Sequence, residues 1–174
     1  MRLASGLLAT SVLAPAALIA VPAQAVAAES TAPTQKATKK KPKKKTWAER
    51  KKTAQKALAL AKKKKGRPYV YGAAGPNSFD CSGLVGYVYR QAGVKLPRTT
   101  TAIYAGVPKK IKWRDLYPGD LVFFYGGRSH VGIVSKVSGG KVWMIHSPRT
   151  GDHVRQVLLD SYRKKNFNGA VRPY

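Results

Sequence analysis

Residues 79–90 read FDCSGLVGYVYR. Leu84, Val85, Val88 and Tyr89 recur at helical spacing, Asp80 stands where an N-cap belongs, and Gly93 lies beyond the end. The stretch therefore predicts a helix over 81–91 with Cys81 in its first turn. Cys81 is the only cysteine among 174 residues, so no internal disulfide can form. A lone thiol is an inert core group, a link to a second chain or a reactive group. Position favours the third, because the unpaired amides of a helix start lower a thiol's pKa and can hold an oxyanion. Gly75 and Gly83 flank the thiol and would let a substrate approach the backbone.

Working outward, Thr46-Trp47-Ala48-Glu49 has the spacing of a capping box. Trp47, Ala54, Leu58 and Ala61 then repeat at helical spacing, with Ala57 and Leu60 beside them and lysines opposite. Gly66 and Pro68 supply the stop. "GRPYVYGAAGPNSFD" (66–80) is dense in glycine and proline and reads as a loop. Past the cysteine helix, "PGDLVFFY" (118–125) is a turn and a strand buried on both faces. "SHVGIVSKV" (129–137) and "KVWMIHSP" (141–148) alternate at period two around Ser138-Gly139-Gly140, a hairpin. "GAVRPY" (169–174) adds a closing strand. Helices first and strands later make the class α+β, with N-terminal helices packed on a central antiparallel sheet.

A nucleophilic thiol needs a base, and the chain offers His130, His146 and His153. The first two sit on the predicted hairpin. With a two-residue turn that pairs Ser138 with Lys141, their side chains fall on opposite faces. A three-residue loop or a bulge would bring them together, and that irregularity is predicted because a Cys-His pair needs a third polar group to orient the imidazole. His153, beside Gly151-Asp152, reads as a loop residue and a weaker candidate.

The N-terminus predicts export. An apolar run from Leu3 to Val21 follows Arg2, and Ala23-Gln24-Ala25 provides the small residues of a cleavage site. About 19 residues can also span a membrane as a retained anchor. Pro15 and the small-residue site favour cleavage, so residues 1–25 are read as a signal peptide, with no stable membrane insertion afterwards. Residues 26–45, rich in Lys, Pro and Thr, are read as a disordered linker. Residues 46–174 are read as one domain, a secreted or cell-wall-associated monomer with no separate wall-binding module ahead of it. The net charge is +26, of which +12 falls on residues 66–174. Such a field draws anionic polymers. In an exported protein these are wall polymers rather than nucleic acid, and the same charge also suits a solubilising, wall-retaining role.

"RPYVYG", "FDCSGLVGYVY", "LPRTT", "PGDLVFF", "SHVGIV" and "IHSP" follow one another in the order found in the NlpC family of bacterial cell-wall cysteine endopeptidases, which residues 47–174 resemble. The resemblance implies a papain-like fold and cleavage of peptidoglycan peptide stems, typically between a γ-linked D-glutamate and a diamino acid such as diaminopimelate. It implies Cys81 as nucleophile, His130 as base and His146 as third polar member. Tyr69 matches the tyrosine lining the oxyanion side, and Asp80, Ser82 and Ser129 match residues shaping the substrate cleft. The chain departs from the pattern in having Ala73 after Gly72, Ile103 near a position that is commonly glutamine, and Ser147 after His146 where alanine is usual. No metal or other cofactor is called for, and the Cys and His spacings do not resemble a zinc site. Two other readings fit the same residues: a non-catalytic cationic wall-binding protein on this fold, and a peptidoglycan amidase or acyl transferase.

Overall fold

The computed structural model describes residues 45–174. The predicted signal peptide and nearly all of the predicted linker lie outside the described residues. Helix α1 (Trp47–Lys63) opens with the capping box: the Glu49 amide donates to Thr46 Oγ1 at 3.3 Å and the Thr46 amide to Glu49 Oε2 at 2.6 Å. Its buried stripe is Thr53, Ala54, Ala57, Leu58 and Ala61. Trp47 is not part of it. That ring is 44% exposed and lies against Tyr117 and Tyr174. Small side chains on the stripe let α1 lie close to α2 (Cys81–Gln91), and α2 packs on the sheet.

The sheet has six antiparallel strands: β1 (Lys110–Ile111), β2 (Leu121–Phe124), β3 (His130–Ser138), β4 (Lys141–His146), β5 (Arg155–Leu158) and β6 (Phe167–Val171). Their spatial order is β1-β6-β2-β3-β4-β5. The strand expected to close the chain is thus an internal one, slotted between β1 and β2. Short helices α3 (Thr100–Gly106) and α4 (Ser161–Lys165) precede β1 and β6.

Strand β2 is buried at all four positions, and alternation splits it between two cores. Leu121 and Phe123 join Val131, Ile133 and Ile145 under the helices, while Val122 and Phe124 join Val134, Met144 and Leu159 on the other face. An ion pair on a fully buried carboxylate pins the end of the chain beside β2. Arg172 donates to both oxygens of Asp120 at 2.7 and 2.8 Å, Asp120 is 0% exposed, and the Tyr117 amide and Tyr174 hydroxyl fill its remaining lone pairs. Helix α2 is tied to the same turn by the Tyr89 hydroxyl, which donates to the Gly119 carbonyl.

The β3–β4 hairpin has both features weighed in the parity argument. Ser138 pairs with Lys141 across the two-residue turn Gly139-Gly140, and both glycines have positive φ, as a primed turn requires. That turn alone would separate the histidines. The register then shifts between Val134 and Lys136, where Ser135 is the extra residue of a bulge. Beyond the bulge Ile133 faces Ile145, so continuing the ladder sets Gly132 opposite His146 and returns His130 to the His146 face.

Candidate active site

Asp80 organises the start of α2. As N-cap it accepts from the Gly83 amide at 2.6 Å, and its carboxylate also takes the Gly72 amide at 3.1 Å and the Ser82 hydroxyl at 3.2 Å. Arg98, from the loop before α3, forks onto both carboxylate oxygens and donates to Ser82 Oγ at 2.8 Å. Burial pushes the Asp80 carboxyl up, but Arg98, the Gly83 amide and Ser82 outweigh it and hold the pKa below the usual carboxylate value. One carboxylate therefore joins the loop before the thiol, the helix start and the loop ahead of α3.

Cys81 is half-buried, free, and the first residue of α2. The backbone N–H groups of Val131, Ser82 and Cys81 itself favour the thiolate. Val131 is the neighbour of His130, so the thiol lies at the opening of β3. Burial raises the thiol pKa, Val131 opposes that rise, and the Asp80 charge adds to it, with a net upward shift. The depressed thiol expected from the helix start is therefore not found. Helix amides do favour the thiolate, but packing against the core and an adjacent carboxylate outweigh them.

His130 and His146 meet as predicted on one face. His130 Nε2 lies 2.8 Å from His146 Nδ1, with ring centroids 5.0 Å apart and planes at 79°. Burial lowers His130 to about 4, helped by the Arg163 charge. Burial lowers His146 to about 3, with His130, Arg163 and Arg155 adding to it. Both rings are neutral near pH 7, so one donates and the other accepts in the bond they share. Gly132 makes their approach possible: a Cβ there would stand 2.5 Å from Met144 Sδ and 3.3 Å from His146 Cβ. At the end of β4, the buried Ser147 hydroxyl donates to the Phe79 carbonyl at 2.7 Å, tying the histidine strand to the residue before Asp80.

Tyr69, Asp80, Cys81, Ser82 and Ser129 share one cleft of about 410 Å³, together with Arg98 and the exposed Tyr71. Burial raises the Tyr69 pKa, with Cys81 and Asp80 adding to it. Asp80 and Ser82 are 7% exposed and bonded mainly to protein, so they shape the cleft from beneath rather than from its rim. Ser129 is exposed and also borders a second cavity, which holds His130 and His146. His153 lies in neither cavity; it forms an isolated bridge with Pro68. Gly75 and Gly83 do not open the backbone to substrate. A Cβ at Gly75 would meet Phe79 and Tyr87 at 2.6 and 2.7 Å, and one at Gly83 would meet the Ala73 carbonyl at 2.1 Å, so both serve internal packing.

Reading the sequence missed Arg98, Ser147 and the role of Gly132. Arg98 stood in the "LPRTT" block and Ser147 at a departure from the family pattern, but their partners are 18 and 68 residues away. Among the described residues, no three His, Cys, Asp or Glu side chains are placed to hold a metal ion.

A thiol at a helix start, with one imidazole at the opening of β3 bonded to a second at the end of β4, can carry out nucleophilic acyl transfer. Known proteins are similar to this chain in sequence and in fold. A probable endopeptidase of Corynebacterium glutamicum is 41% identical over 121 residues, 69% of this chain and 54% of that protein. The probable endopeptidase p60 of Listeria monocytogenes is 51% identical over 78 residues, 44% of this chain and 16% of that one. The chain thus spans about half the length of the first relative and less of the second. A solved Staphylococcus aureus protein of the NLP/P60 family, described as similar to lipoprotein, superposes with a TM-score of 0.59 at 35% identity, covering 70% of this chain and 41% of that one. The family pattern runs over residues 66–172 and takes in the thiol, its carboxylate cap and both histidines, and on that match the chain belongs to the NlpC/P60 family.

Proposed function

We propose that the protein is a secreted cysteine endopeptidase that hydrolyses the peptide stems of bacterial peptidoglycan between a γ-linked D-glutamate and a diamino acid. The observation that carries this reading is the thiol beside the Val131 amide, one residue from a histidine bonded to a second histidine. With the thiol raised and His130 at about 4, the resting pair is neutral. Sγ therefore attacks the amide carbonyl as its proton passes to His130. The Cys81 and Ser82 amides at the helix start, with Tyr69 above them, stabilise the tetrahedral oxyanion. His130 then protonates the departing amine, and a thioester remains on Cys81. Water, deprotonated by His130, hydrolyses the thioester and restores the thiol. His146 holds the His130 ring in one tautomer and shares the transient imidazolium charge.

The substrate is the stem peptide, and the protein works as a monomer without metal or nucleic acid. Its positive surface keeps it near anionic wall polymers. The test is hydrolysis of a synthetic L-alanyl-γ-D-glutamyl-diaminopimelyl peptide. Cys81→Ala and His130→Ala should each lower kcat/KM by three orders of magnitude or more, and His146→Ala by about tenfold to a hundredfold. A folded Cys81→Ala protein that cleaves at the wild-type rate would remove the reading, and a non-catalytic wall-binding protein would then take its place.

A further inference from the structure

The chain turns from β2 into β3 in five residues, Tyr125–Ser129, and the next is His130. Two of the five are strained. Tyr125 has φ 67 and ψ 172, a backbone region that is essentially glycine's own, and Arg128 has φ 56. Among the described residues, no other non-glycine residue has a positive φ. Gly126 and Gly127, which lie between them, have nothing within 4 Å of where a Cβ would stand, so packing does not fix the middle of the turn.

A strained turn with a loose middle keeps one shape only where its ends are held. Arg128 is the one residue of the five that is not exposed. Its guanidinium lies 3.8 Å from the centroid of the Tyr104 ring on α3, and its Nε donates to the Asn168 carbonyl on β6 at 3.0 Å. From the same residue of β6, Asn168 Nδ2 donates to the Tyr125 carbonyl at 2.8 Å. The Tyr125 amide donates to the Asn166 carbonyl at 2.9 Å. The Tyr104 ring is itself fixed. It packs edge-on against Phe123 with centroids 5.3 Å apart, and Gly169 leaves room for it, since a Cβ there would stand 2.7 Å from Tyr104 Cε2.

The turn delivers the reacting end of β3. His130 bonds to His146, and the Val131 amide favours the Cys81 thiolate, so a shift of the turn displaces both groups together. Arg128 lines neither the thiol cleft nor the histidine cavity, and the cation that disfavours protonation of His130 is Arg163. Its influence is therefore geometric. Resting on the peptidase reading, we infer that Arg128 is a positioning residue: stacked on Tyr104 and bonded to β6, it clamps the strained turn and fixes where His130 stands relative to the Cys81 thiol.

Hydrolysis of the L-alanyl-γ-D-glutamyl-diaminopimelyl peptide tests this, with thermal melting to confirm folding. Arg128→Ala should lower kcat by about tenfold to a hundredfold, the scale of a misplaced reacting group, while KM stays within about twofold. Its acid limb should stay where the wild type's is, because burial and Arg163 still set the His130 pKa. Arg128→Lys keeps the charge but has no flat face to stack, and should lose about threefold to tenfold. Tyr104→Phe keeps the ring face and should match the wild type, whereas Tyr104→Leu should fall as Arg128→Ala does. Arg128→Ala combined with Tyr104→Leu should cost no more than either alone, because both break one clamp. Wild-type kcat in folded Arg128→Ala overturns the inference, as does a loss expressed in KM, an acid limb that moves, or a double variant whose losses multiply. Each of these leaves the peptidase reading intact. Where Arg128→Ala does not fold, wild-type kcat in Arg128→Lys or in Tyr104→Leu overturns the inference in its place. A folded wild type that leaves the peptide uncut removes the peptidase reading, and the inference with it.

Discussion

At Cys81 two local fields compete, and burial with Asp80 prevails over the amides of the helix start. The resting thiol is therefore neutral, and alkylation by iodoacetamide should climb only through alkaline pH, with no plateau near pH 6. A plateau there would mean a standing thiolate. The same balance sets the acid limb of catalysis. His130 must be neutral to accept a proton, so kcat/KM should hold as pH falls through 6.5 and drop only as it nears about 4. Rates taken in brief assays, before any acid unfolding, check this. At Gly132, the Ala variant forces Met144 or His146 to move. We expect a loss of about tenfold to a hundredfold in kcat/KM, against about 1–3 kcal/mol of stability. Full activity in Gly132→Ala would mean that the approach of the two rings does not matter.

Among the elements, the β3–β4 hairpin shows why the site was partly legible. Strand periodicity, the two glycines of the turn and the need for both histidines on one face were enough to call for an irregularity, and the bulge at Ser135 supplies it. Its position was not legible, because a bulge is fixed by packing on neighbouring strands rather than by any local residue type. The N-cap, the capping box and both long helices were equally readable, since each rests on contacts within four residues. Arg98 and Ser147 were not, because their bonds to Asp80 and Phe79 depend on the finished fold. Ser135 leaves its Oγ buried without a hydrogen-bond partner among the described residues, and the pairings on either side of it would be consecutive in its absence. Deleting Ser135 should therefore preserve Cys81-dependent hydrolysis. Deleting Val131 should abolish it by turning His130 to the opposite face. If the Ser135 deletion is well folded and inactive, the bulge does more than set parity.

For the molecule as a whole, pH and charge are linked. His130 and His146 titrate at about 4 and 3 when folded, below the ordinary 6.5, so the unfolded chain binds protons that the native state refuses. Their stabilising effect is complete above pH 6.5 and is lost as pH falls through 6.5 towards 4 and 3, at up to about 1.4 kcal/mol per pH unit for each ring. Asp80, also depressed, adds to the loss at lower pH. Melting temperatures should fall between pH 7 and 4.5, and the fall should be shallower in His146→Asn; an equal slope would show that the buried pair is not its cause. On intact walls, hydrolysis should weaken as salt rises while hydrolysis of a short soluble peptide changes little, because only the wall offers an extended anionic surface to the strongly positive chain. The most direct measurement is digestion of purified peptidoglycan by wild type and Cys81→Ala, with the released fragments analysed by mass. Fragments bearing a new amine on the diamino acid should come from the wild type alone; the same fragments in equal yield from both proteins would contradict the account.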